Sequence, residues 1–380
     1  NQTVSQQGSK LVGTGGISVD WQGIMTSIDQ NGTTLAVGAP GQDGGAVGRV
    51  FVFTRSDTTW SQEQMITFTG NSGNSNIGRG LYISEDGNTL VAGGPGDNGA
   101  VGAIWVATRS GGVWTQVGSK LIGTGGSGAS NQGFSVYISG DGQTIAVGGY
   151  NDNSQDGAVW VFTVSSNVWT QQGSKLVGTG AVGGAGQGFA VALTDDGNTL
   201  VSSGPFDNGN IGAVWVFTRS AGVWTQFGSK LVGSPVNVAL GSFNQGWSMD
   251  VSGDGNTLVI GALNYSYLGV NGAVFVFVKS LGVWVQQGNE LTGITGLGNE
   301  SSTRLSRDGN TLVAGSPSFN SGVGGFNIFS RSGVTWTNTQ TVQPSGNSGN
   351  SNFGRGVDIS SNATHICAGG FADNSFKGAT

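Results

Sequence analysis

Three charged residues recur at a spacing of 54 residues in the last third of the chain: Asp250, Arg304 and Asp358. An arginine between two carboxylates can form an ion-pair triad, because opposite charges attract strongly at short range and away from bulk water. Two interpretations follow. The side chains neutralise one another and hold neighbouring strands in register, or they form a binding site for an anion or a sugar.

Two further arginines, Arg79 and Arg355, lie in nearly identical segments. Residues 70–80 and 346–356 differ at one position, where Ile77 corresponds to Phe353. A duplication accounts for the similarity of the segments. Two guanidinium groups on the same side of the molecule could also bind an anionic group, so both arginines are candidate ligand-binding residues together with the triad.

We recognise no catalytic constellation, and we predict no catalytic residue, no cofactor and a protein that is not an enzyme. The chain has one histidine and one cysteine, His365 and Cys367, so the His and Cys clusters of a zinc site are absent from the sequence, and no metal site is predicted. The alternative is a hydrolase or lyase, in which the fold brings carboxylates together at a central channel.

These residues are positioned by a repeat of about 55 residues. The turn glycine of an Asp-Gly-Asn-Thr-Leu tag marks each copy, and alanine replaces it in the last one; the positions are Gly32, Gly87, Gly142, Gly197, Gly255, Gly309 and Ala363. A fixed period of roughly 40–55 residues with four short strands per copy indicates a β-propeller.

The third copy illustrates the four strands. Alternating apolar residues predict strands over 133–139, 144–148, 158–163 and 168–177. The Asp141-Gly142 pair between the first two predicts a tight hairpin turn. Lys10, Lys120, Lys175 and Lys230 share a position in the fourth strand, where charge discourages edge-to-edge aggregation.

We therefore predict an all-β fold, a seven-bladed β-propeller of four-stranded antiparallel blades that forms a single domain over residues 1–380. The N-terminal strand is predicted to join the last blade and close the ring. The triad then lies on the innermost strands of blades 5, 6 and 7. The predicted blades are 17–71, 72–128, 129–183, 184–240, 241–297, 298–348, and 349–380 plus 1–16.

The ring closure is about six residues short of a full repeat, by comparison with the other copies. The missing residues correspond to Trp-Val-Phe-Thr-Arg-Ser, most of the third strand of the last blade. Three explanations remain open: the natural chain continues beyond Thr380, the last blade has three strands, or another molecule supplies the strand by β-augmentation.

Short motifs resemble the FG-GAP repeat family, which includes the propeller of integrin α chains. Gly38-Ala39-Pro40 follows a predicted second strand, and Phe353-Gly354 precedes a first strand. The resemblance implies a seven-bladed propeller. Calcium-binding copies of that family carry several carboxylates between their first two strands, whereas this chain has only one or two there, too few for calcium. Its calcium loops are therefore degenerate.

The composition limits the classes of partner that the protein is expected to bind. The net charge is −6 and only 9% of residues are charged, without a cluster of Lys or Arg, so no nucleic-acid partner is predicted. No apolar run is long enough to span a membrane. The leading hypothesis is a non-enzymatic extracellular, cell-surface or virion-surface protein for adhesion or assembly, with a protein or glycan partner or self-assembly through blade 7. A lectin-like, carbohydrate-binding propeller is the alternative.

Overall fold

A computed structural model describes residues 3–16, 20–41, 46–235, 241–267, 270–294 and 302–380 of the chain. These residues form an all-β propeller of four-stranded antiparallel blades. In each complete blade the strands lie in chain order from the axis outwards, because short turns join each strand to its neighbour.

Six sheets of the described chain have four strands each. Blades 1 to 3 are β1 (Thr26–Ile28), β2 (Thr34–Ala39), β3 (Arg49–Ser56) and β4 (Thr59–Ile66); β5 (Gly80–Ile83), β6 (Thr89–Gly94), β7 (Ala103–Ser110) and β8 (Val113–Gln116); and β9 (Ser135–Ile138), β10 (Thr144–Gly149), β11 (Ala158–Ser165) and β12 (Val168–Gln171). Blades 4 to 6 are β13 (Val191–Leu193), β14 (Thr199–Gly204), β15 (Ala213–Ser220) and β16 (Val223–Gln226); β17 (Gln245–Val251), β18 (Thr257–Tyr267), β19 (Val270–Ser280) and β20 (Val283–Gln286); and β21 (Thr303–Leu305), β22 (Thr311–Gly315), β23 (Phe326–Ser332) and β24 (Thr335–Val342).

The last repeat differs from the others. It forms a two-stranded sheet of β25 (Val357–Ile359) and β26 (Ile366–Ala368), which lies between blade 6 and blade 1. The prediction of seven four-stranded blades is therefore wrong: within the described ranges, six blades are complete. At the position of a third strand, Ala379 exchanges backbone hydrogen bonds with Gly370 and Thr380 exchanges them with Leu11, but residues 3–16 do not form a strand.

A buried tryptophan lies on the third strand of each of blades 2 to 4. Trp105, Trp160 and Trp215 are fully buried between blades. The indole N–H of Trp160 donates to the carbonyl of Thr124 at 2.8 Å, so the polar end of the ring is satisfied inside the protein. Burial on both sides of these strands means that neighbouring blades share one apolar layer.

The helices among the described residues are short turns of four residues. They are α1 (Asp97–Ala100), α2 (Asp152–Gln155), α3 (Asp207–Asn210), α4 (Phe319–Gly322) and α5 (Asp373–Phe376). Their middle residues are left-handed, as at Asn153 with φ 49°. Asparagine tolerates this conformation better than most residues do. None of the helices in the described part of the chain is long and apolar enough to cross a membrane.

Adjacent blades are joined by a short parallel bridge before a third strand. Gly157 pairs in this way with Gln187 of the next blade, at a φ of 77°. The same bridge occurs at Gly48–Ile77, Gly102–Gln132, Gly212–Gln245, Gly324–Phe353 and Gly378–Gln22. A side chain at Gly157 would collide with the backbone of Gln187, so the glycine permits the close approach of two blades.

Replacing Gly157 with alanine is expected to lower the free energy of unfolding by more than about 2 kcal/mol, because backbone strain adds to a steric clash. Gly173 is a matched control, since its φ is 75° and no atom lies within 4 Å of the position that an alanine Cβ would occupy. Gly173→Ala should cost about 1–2 kcal/mol, the strain of a left-handed alanine alone. Urea unfolding followed by tryptophan fluorescence measures both, and equal losses would contradict the clash.

Candidate functional site at the propeller axis

The predicted triad assembles on three adjacent inner strands. Asp250 lies on β17, Arg304 on β21 and Asp358 on β25. Nε of Arg304 is 3.7 Å from Oδ1 of Asp358. Both aspartates are almost fully buried, at 2% and 3% exposure. The even 54-residue spacing is what places these residues at one level of neighbouring blades.

Each aspartate also joins its strand to the next blade. Oδ2 of Asp250 accepts the backbone N–H of Leu305 at 2.9 Å, and Oδ2 of Asp358 accepts that of Ile28 at 2.9 Å. Ser27, at the corresponding position of blade 1, accepts the N–H of Ile83 at 3.2 Å. Ser27, Asp250 and Asp358 therefore act as hydrogen-bonded links that hold neighbouring inner strands in register.

The electrostatics of the triad are those of a buried cluster. Burial raises the pKa of Asp358 to about 6; Arg304 and the N–H of Ile28 lower it, while Asp250 raises it further. The pKa of Asp250 is also raised, mainly by burial. Burial would lower the pKa of Arg304, but the two carboxylates raise it above its ordinary value. The arginine remains charged, whereas the acids hold protons more readily than exposed carboxyls.

A second arginine closes one end of the channel. Arg307 follows β21, and its Nε lies 2.6 Å from Oε1 of Glu85 and 3.1 Å from Oδ1 of Asp195. Its Nη1 donates to the hydroxyl of Tyr137 at 3.1 Å. Glu85 also accepts the hydroxyl proton of Ser361 at 2.9 Å. These contacts join blades 2, 3, 4, 6 and 7 across the axis.

Two stacked tyrosines complete this layer. The rings of Tyr82 and Tyr137 lie 3.8 Å apart, between their centroids. Burial raises the pKa of both hydroxyls well above the ordinary value of 10.0, so they stay protonated. The space left beside Tyr82, Glu85 and Arg307 is about 10 Å³, which is about the minimum for one water molecule.

Arg307 is not among the site residues predicted from the sequence. The signal was available, because the position two residues before the turn glycine holds a different residue in almost every copy: Gln30, Glu85, Gly140, Asp195, Gly253, Arg307 and Ser361. A position that varies among otherwise similar copies is a candidate for a contact that only one blade makes. What the sequence did not reveal was that Glu85, Asp195 and Arg307 meet across the axis.

The structure places Arg79 and Arg355 in separate stacks. The guanidinium carbon of Arg79 lies 4.4 Å from the ring centroid of Phe134, and that of Arg355 lies 4.5 Å from that of Phe371. Arg355 is only 5% exposed, whereas Arg79 is half-buried. Cation–π contact accounts for both orientations.

Arg79 borders a row of aromatic rings on one rim of the propeller. We call this surface the rim aromatic row; its rings are Phe134, Tyr150, Phe189, Phe206 and Trp247. Ring centroids lie 5.0 Å apart between Phe134 and Phe189, and 4.7 Å apart between Phe189 and Trp247. Tyr150 and Phe206 pack against them, and all five rings are half-buried. Three of the rings occupy one position of the repeat, so comparison of the copies would have found this surface.

The acids between the second and third strands are engaged in ion pairs. Asp152 is 1% exposed and contacts Nζ of Lys175; it also accepts the N–H of Ser127 at 2.7 Å and the hydroxyl of Ser130 at 2.9 Å. The same pairing joins Asp97 to Lys120, Asp207 to Lys230 and Asp373 to Lys10. The sequence predicts only an edge-protecting role for these lysines; in the structure each also pairs with a buried aspartate.

The carboxylates of the first turns are also used locally. Asp254 accepts the hydroxyl of Ser252 at 2.6 Å and the N–H of Asn256 at 3.0 Å. Burial would raise its pKa, but these hydrogen bonds lower it below the ordinary value. Within the described ranges, no group of three His, Cys, Asp or Glu side chains could hold a metal ion.

Comparison with known proteins supports the fold alone. No protein-family model matches the chain, and no curated protein matches it at a significant level. Among solved structures, the chain is similar to one titled a putative 6-phosphogluconolactonase from Bacteroides uniformis ATCC 8492. The TM-score is 0.54 and the identity 16%, over 86% of this chain and 85% of that one. The FG-GAP resemblance stays a prediction.

Proposed function

We propose that this protein is a non-enzymatic binding or structural protein, a propeller scaffold for adhesion or assembly outside the cell or on the surface of a virion. The observation that carries the proposal is the closure of the channel by Arg307. This side chain pairs with Glu85 and Asp195 from other blades and leaves space for about one water molecule beside it.

The triad supports the same proposal. Hydrolysis by paired carboxylates needs an acid and a base that can both reach a substrate. Here the carboxylates of Asp250 and Asp358 accept backbone N–H groups of neighbouring strands and flank Arg304. Their hydrogen-bonding capacity serves the blades, which favours structural neutralisation over an anion site.

Binding would then occur on the rim, where the surface is built differently. The rim aromatic row offers apolar ring faces beside the guanidinium of Arg79, and this combination is typical of protein interfaces. The same row favours the second candidate, a lectin-like propeller, because half-buried aromatic rings present flat apolar surfaces to a ligand.

The hydrolase alternative has one point in its favour. The propeller from Bacteroides uniformis carries a lactonase title, although a likeness at 16% identity concerns the fold only. To test this alternative, the purified chain is incubated with 6-phosphogluconolactone and the rate of acid release is measured. We expect the rate of the uncatalysed reaction in buffer. A faster hydrolysis, with an activity that co-elutes with the protein in gel filtration, would overturn the proposal.

The binding surface is tested by Phe189→Ala and Trp247→Ala in a glycan array and in titrations with any glycan that the array identifies. Each change is expected to weaken glycan binding about tenfold or more, since buried aromatic anchors dominate recognition. Trp224→Ala is the control, because Trp224 is half-buried on β16, outside the rim aromatic row. Absence of glycan binding removes the lectin candidate and leaves a protein partner.

Immunogold electron microscopy of the producing cells or particles tests the location. Label on an outer surface is the expected result. Label confined to the cell interior would contradict the proposal, whatever the binding experiments show.

A further inference from the structure

The rim aromatic row lies where the inner strands of blades 2 to 5 begin. Arg79 and Phe134 directly precede β5 and β9, Phe189 lies two residues before β13, and Trp247 is in β17. Each of the four follows a glycine whose φ lies between 82° and 99°; the glycines are Gly78, Gly133, Gly188 and Gly246. One position of the repeat thus supplies a guanidinium and three aromatic rings to neighbouring blades. Since Arg307 follows an inner strand, the row lies at the opposite end of the channel.

Two polar groups of the row make no hydrogen bond to the protein within the described ranges. They are the hydroxyl of Tyr150 and the indole N–H of Trp247, and both residues are half-buried. The indoles of Trp105, Trp160 and Trp215, by contrast, each donate to a backbone carbonyl at 2.8 Å. Tyrosine and tryptophan carry a polar group at the edge of an apolar ring. At the row, these polar groups are available to the hydroxyls of a ligand.

Arg79 adds a positive charge at one end of the row. Its guanidinium carbon lies 4.4 Å from the ring centroid of Phe134, and the side chain is half-buried. Arg355 holds the same position in the last repeat but is only 5% exposed. Arg79 is therefore the arginine of the two that a ligand can contact. A guanidinium stacked on a ring keeps its N–H groups in its own plane, where they suit a planar anion such as a carboxylate.

The acids in the loops that supply Tyr150 and Phe206 are largely neutralised. Asp152 and Asp207 are each 1% exposed, and each contacts a lysine of the outermost strand. Asp156, the next acid of the blade 3 loop, is half-buried and accepts an amide N–H of the same loop at 2.6 Å. An anion that approaches the row thus meets a guanidinium and only one partly exposed carboxylate from these two loops. This contrasts with the net charge of −6 over the whole chain.

The area of the row favours a small ligand over a protein partner. Its five half-buried rings expose at most about 400 Å² together, since an aromatic side chain has roughly 150–250 Å² of surface. A specific protein interface takes about 800 Å² from each partner. An oligosaccharide has apolar C–H faces and hydroxyl groups at its edges, which matches flat rings with polar groups at their edges.

We propose that the rim aromatic row and Arg79 form a binding site for an acidic glycan, an oligosaccharide that carries a carboxylate or a sulfate group. This inference rests on the proposal above that the row is the binding surface. The faces of the sugars pack on the rings, and their hydroxyls bond to Tyr150 and Trp247. The acidic group accepts N–H bonds from Arg79, which is then the residue that distinguishes an acidic glycan from a neutral one.

A glycan array tests the preference of the 380-residue chain. The array contains neutral glycans and matched glycans that carry a uronic acid, a sialic acid or a sulfate group. We expect the acidic glycans to bind at least about tenfold more tightly than their neutral counterparts, because a hydrogen bond to a charged group contributes about 1.5–3 kcal/mol, and 1.4 kcal/mol is tenfold. Binding should weaken as salt is added, since exposed charges are screened. The acid and sulfate arms identify which group Arg79 recognises.

Substitutions of Arg79 test its role in titrations with the best acidic glycan and its neutral counterpart. Arg79→Gln should weaken binding of the acidic glycan at least about tenfold and change binding of the neutral one less than about twofold. Arg79→Lys should have an intermediate effect, because it keeps the charge and loses the planar pair of donors. Arg331→Gln is the matched control. This arginine also stacks on a ring, 5.3 Å from that of Trp336 and outside the row, so both affinities should be unchanged.

The outcomes separate this inference from the proposal on which it rests. Binding of neutral glycans alone, or binding of an acidic glycan that Arg79→Gln leaves unchanged, would overturn the acidic specificity and keep the row as a glycan site. Acidic glycan binding that survives both Phe189→Ala and Trp247→Ala would place the site elsewhere and contradict the inference. A chain that binds no glycan of the array would remove the inference together with the lectin candidate.

Discussion

Arg304→Leu is expected to lower the free energy of unfolding by about 3–5 kcal/mol at pH 7.5, because removing one partner leaves buried charges without compensation. Asp250 and Asp358 are 2% and 3% exposed, so neither carboxylate can recover its hydration. Urea unfolding followed by tryptophan fluorescence measures the loss. A change of less than about 1 kcal/mol would show that the backbone N–H bonds alone support both acids.

The loss should depend on pH. Burial raises the folded-state pKa of Asp358 to about 6, from an ordinary value of 3.8, although Arg304 lowers it. Between these values the folded state binds more protons than the unfolded state, so stability from this group falls as pH rises. Without Arg304 the pKa rises further. The variant should therefore be closer to the native protein at pH 5 than at pH 7.5.

A charge-free control separates this effect from lost packing. Arg304→Leu combined with Asp250→Asn and Asp358→Asn removes all three charges and keeps groups that can accept the N–H bonds of Leu305 and Ile28. Replacing a whole buried ion cluster is often close to neutral. The triple variant should recover stability at pH 7.5 and lose the added pH dependence; a deficit that persists unchanged at both pH values would contradict the electrostatic explanation.

Asp152→Ala is expected to cost about 3–5 kcal/mol, the second large effect. The change removes the partner of Lys175, whose side chain is 22% exposed, together with the acceptor for Ser127 and Ser130. Partial exposure of the lysine should place the loss near the lower end of this range. Denaturant unfolding at pH 7.5 measures it, and a loss below about 1 kcal/mol would contradict a structural role.

A double-mutant cycle isolates the ion pair. Asp152→Ala with Lys175→Met should be less destabilised than the sum of the single changes, because no ammonium group then remains beside an apolar site. Asp156→Ala is the matched control in the same loop. Its carboxylate meets the exposed side chain of Asn153 at 2.6 Å, and the change should cost less than about 1 kcal/mol.

These two results bear on function as well as on stability. If the triad and the aspartate–lysine pairs are structural, the acids that could have served a metal or a catalytic centre already have partners. Within the described ranges, the rim aromatic row then becomes the surface on which we expect recognition.

The repeat by itself determined most of the fold. The turn glycines and the alternating apolar residues predicted the strands of blade 3 over 144–148 and 158–163, where the structure has β10 and β11. Such patterns succeed because hairpin turns and strand alternation are local properties of the chain. The same spacing correctly placed Asp250, Arg304 and Asp358 on neighbouring inner strands.

The number of complete blades was not predicted correctly. Seven copies of a repeat predicted seven four-stranded blades, but a strand also needs enough residues to pair on both sides. At the third position of the last repeat, Ala379 and Thr380 form backbone hydrogen bonds but no strand. The sequence did show that the last repeat is about six residues shorter than the other copies. In the structure, a groove of about 800 Å³ lies at that place.

The sequence alone thus determined the all-β repeat, its turns, and the level of the charged triad, because each depends on residues close together in a copy. Only the tertiary structure decided that Arg307 meets Glu85 across the axis, that Asp152 lies against Lys175, and which rings form the rim aromatic row. Those contacts depend on the curvature of the closed ring, which sets how far a side chain must reach and which no single copy of the repeat encodes.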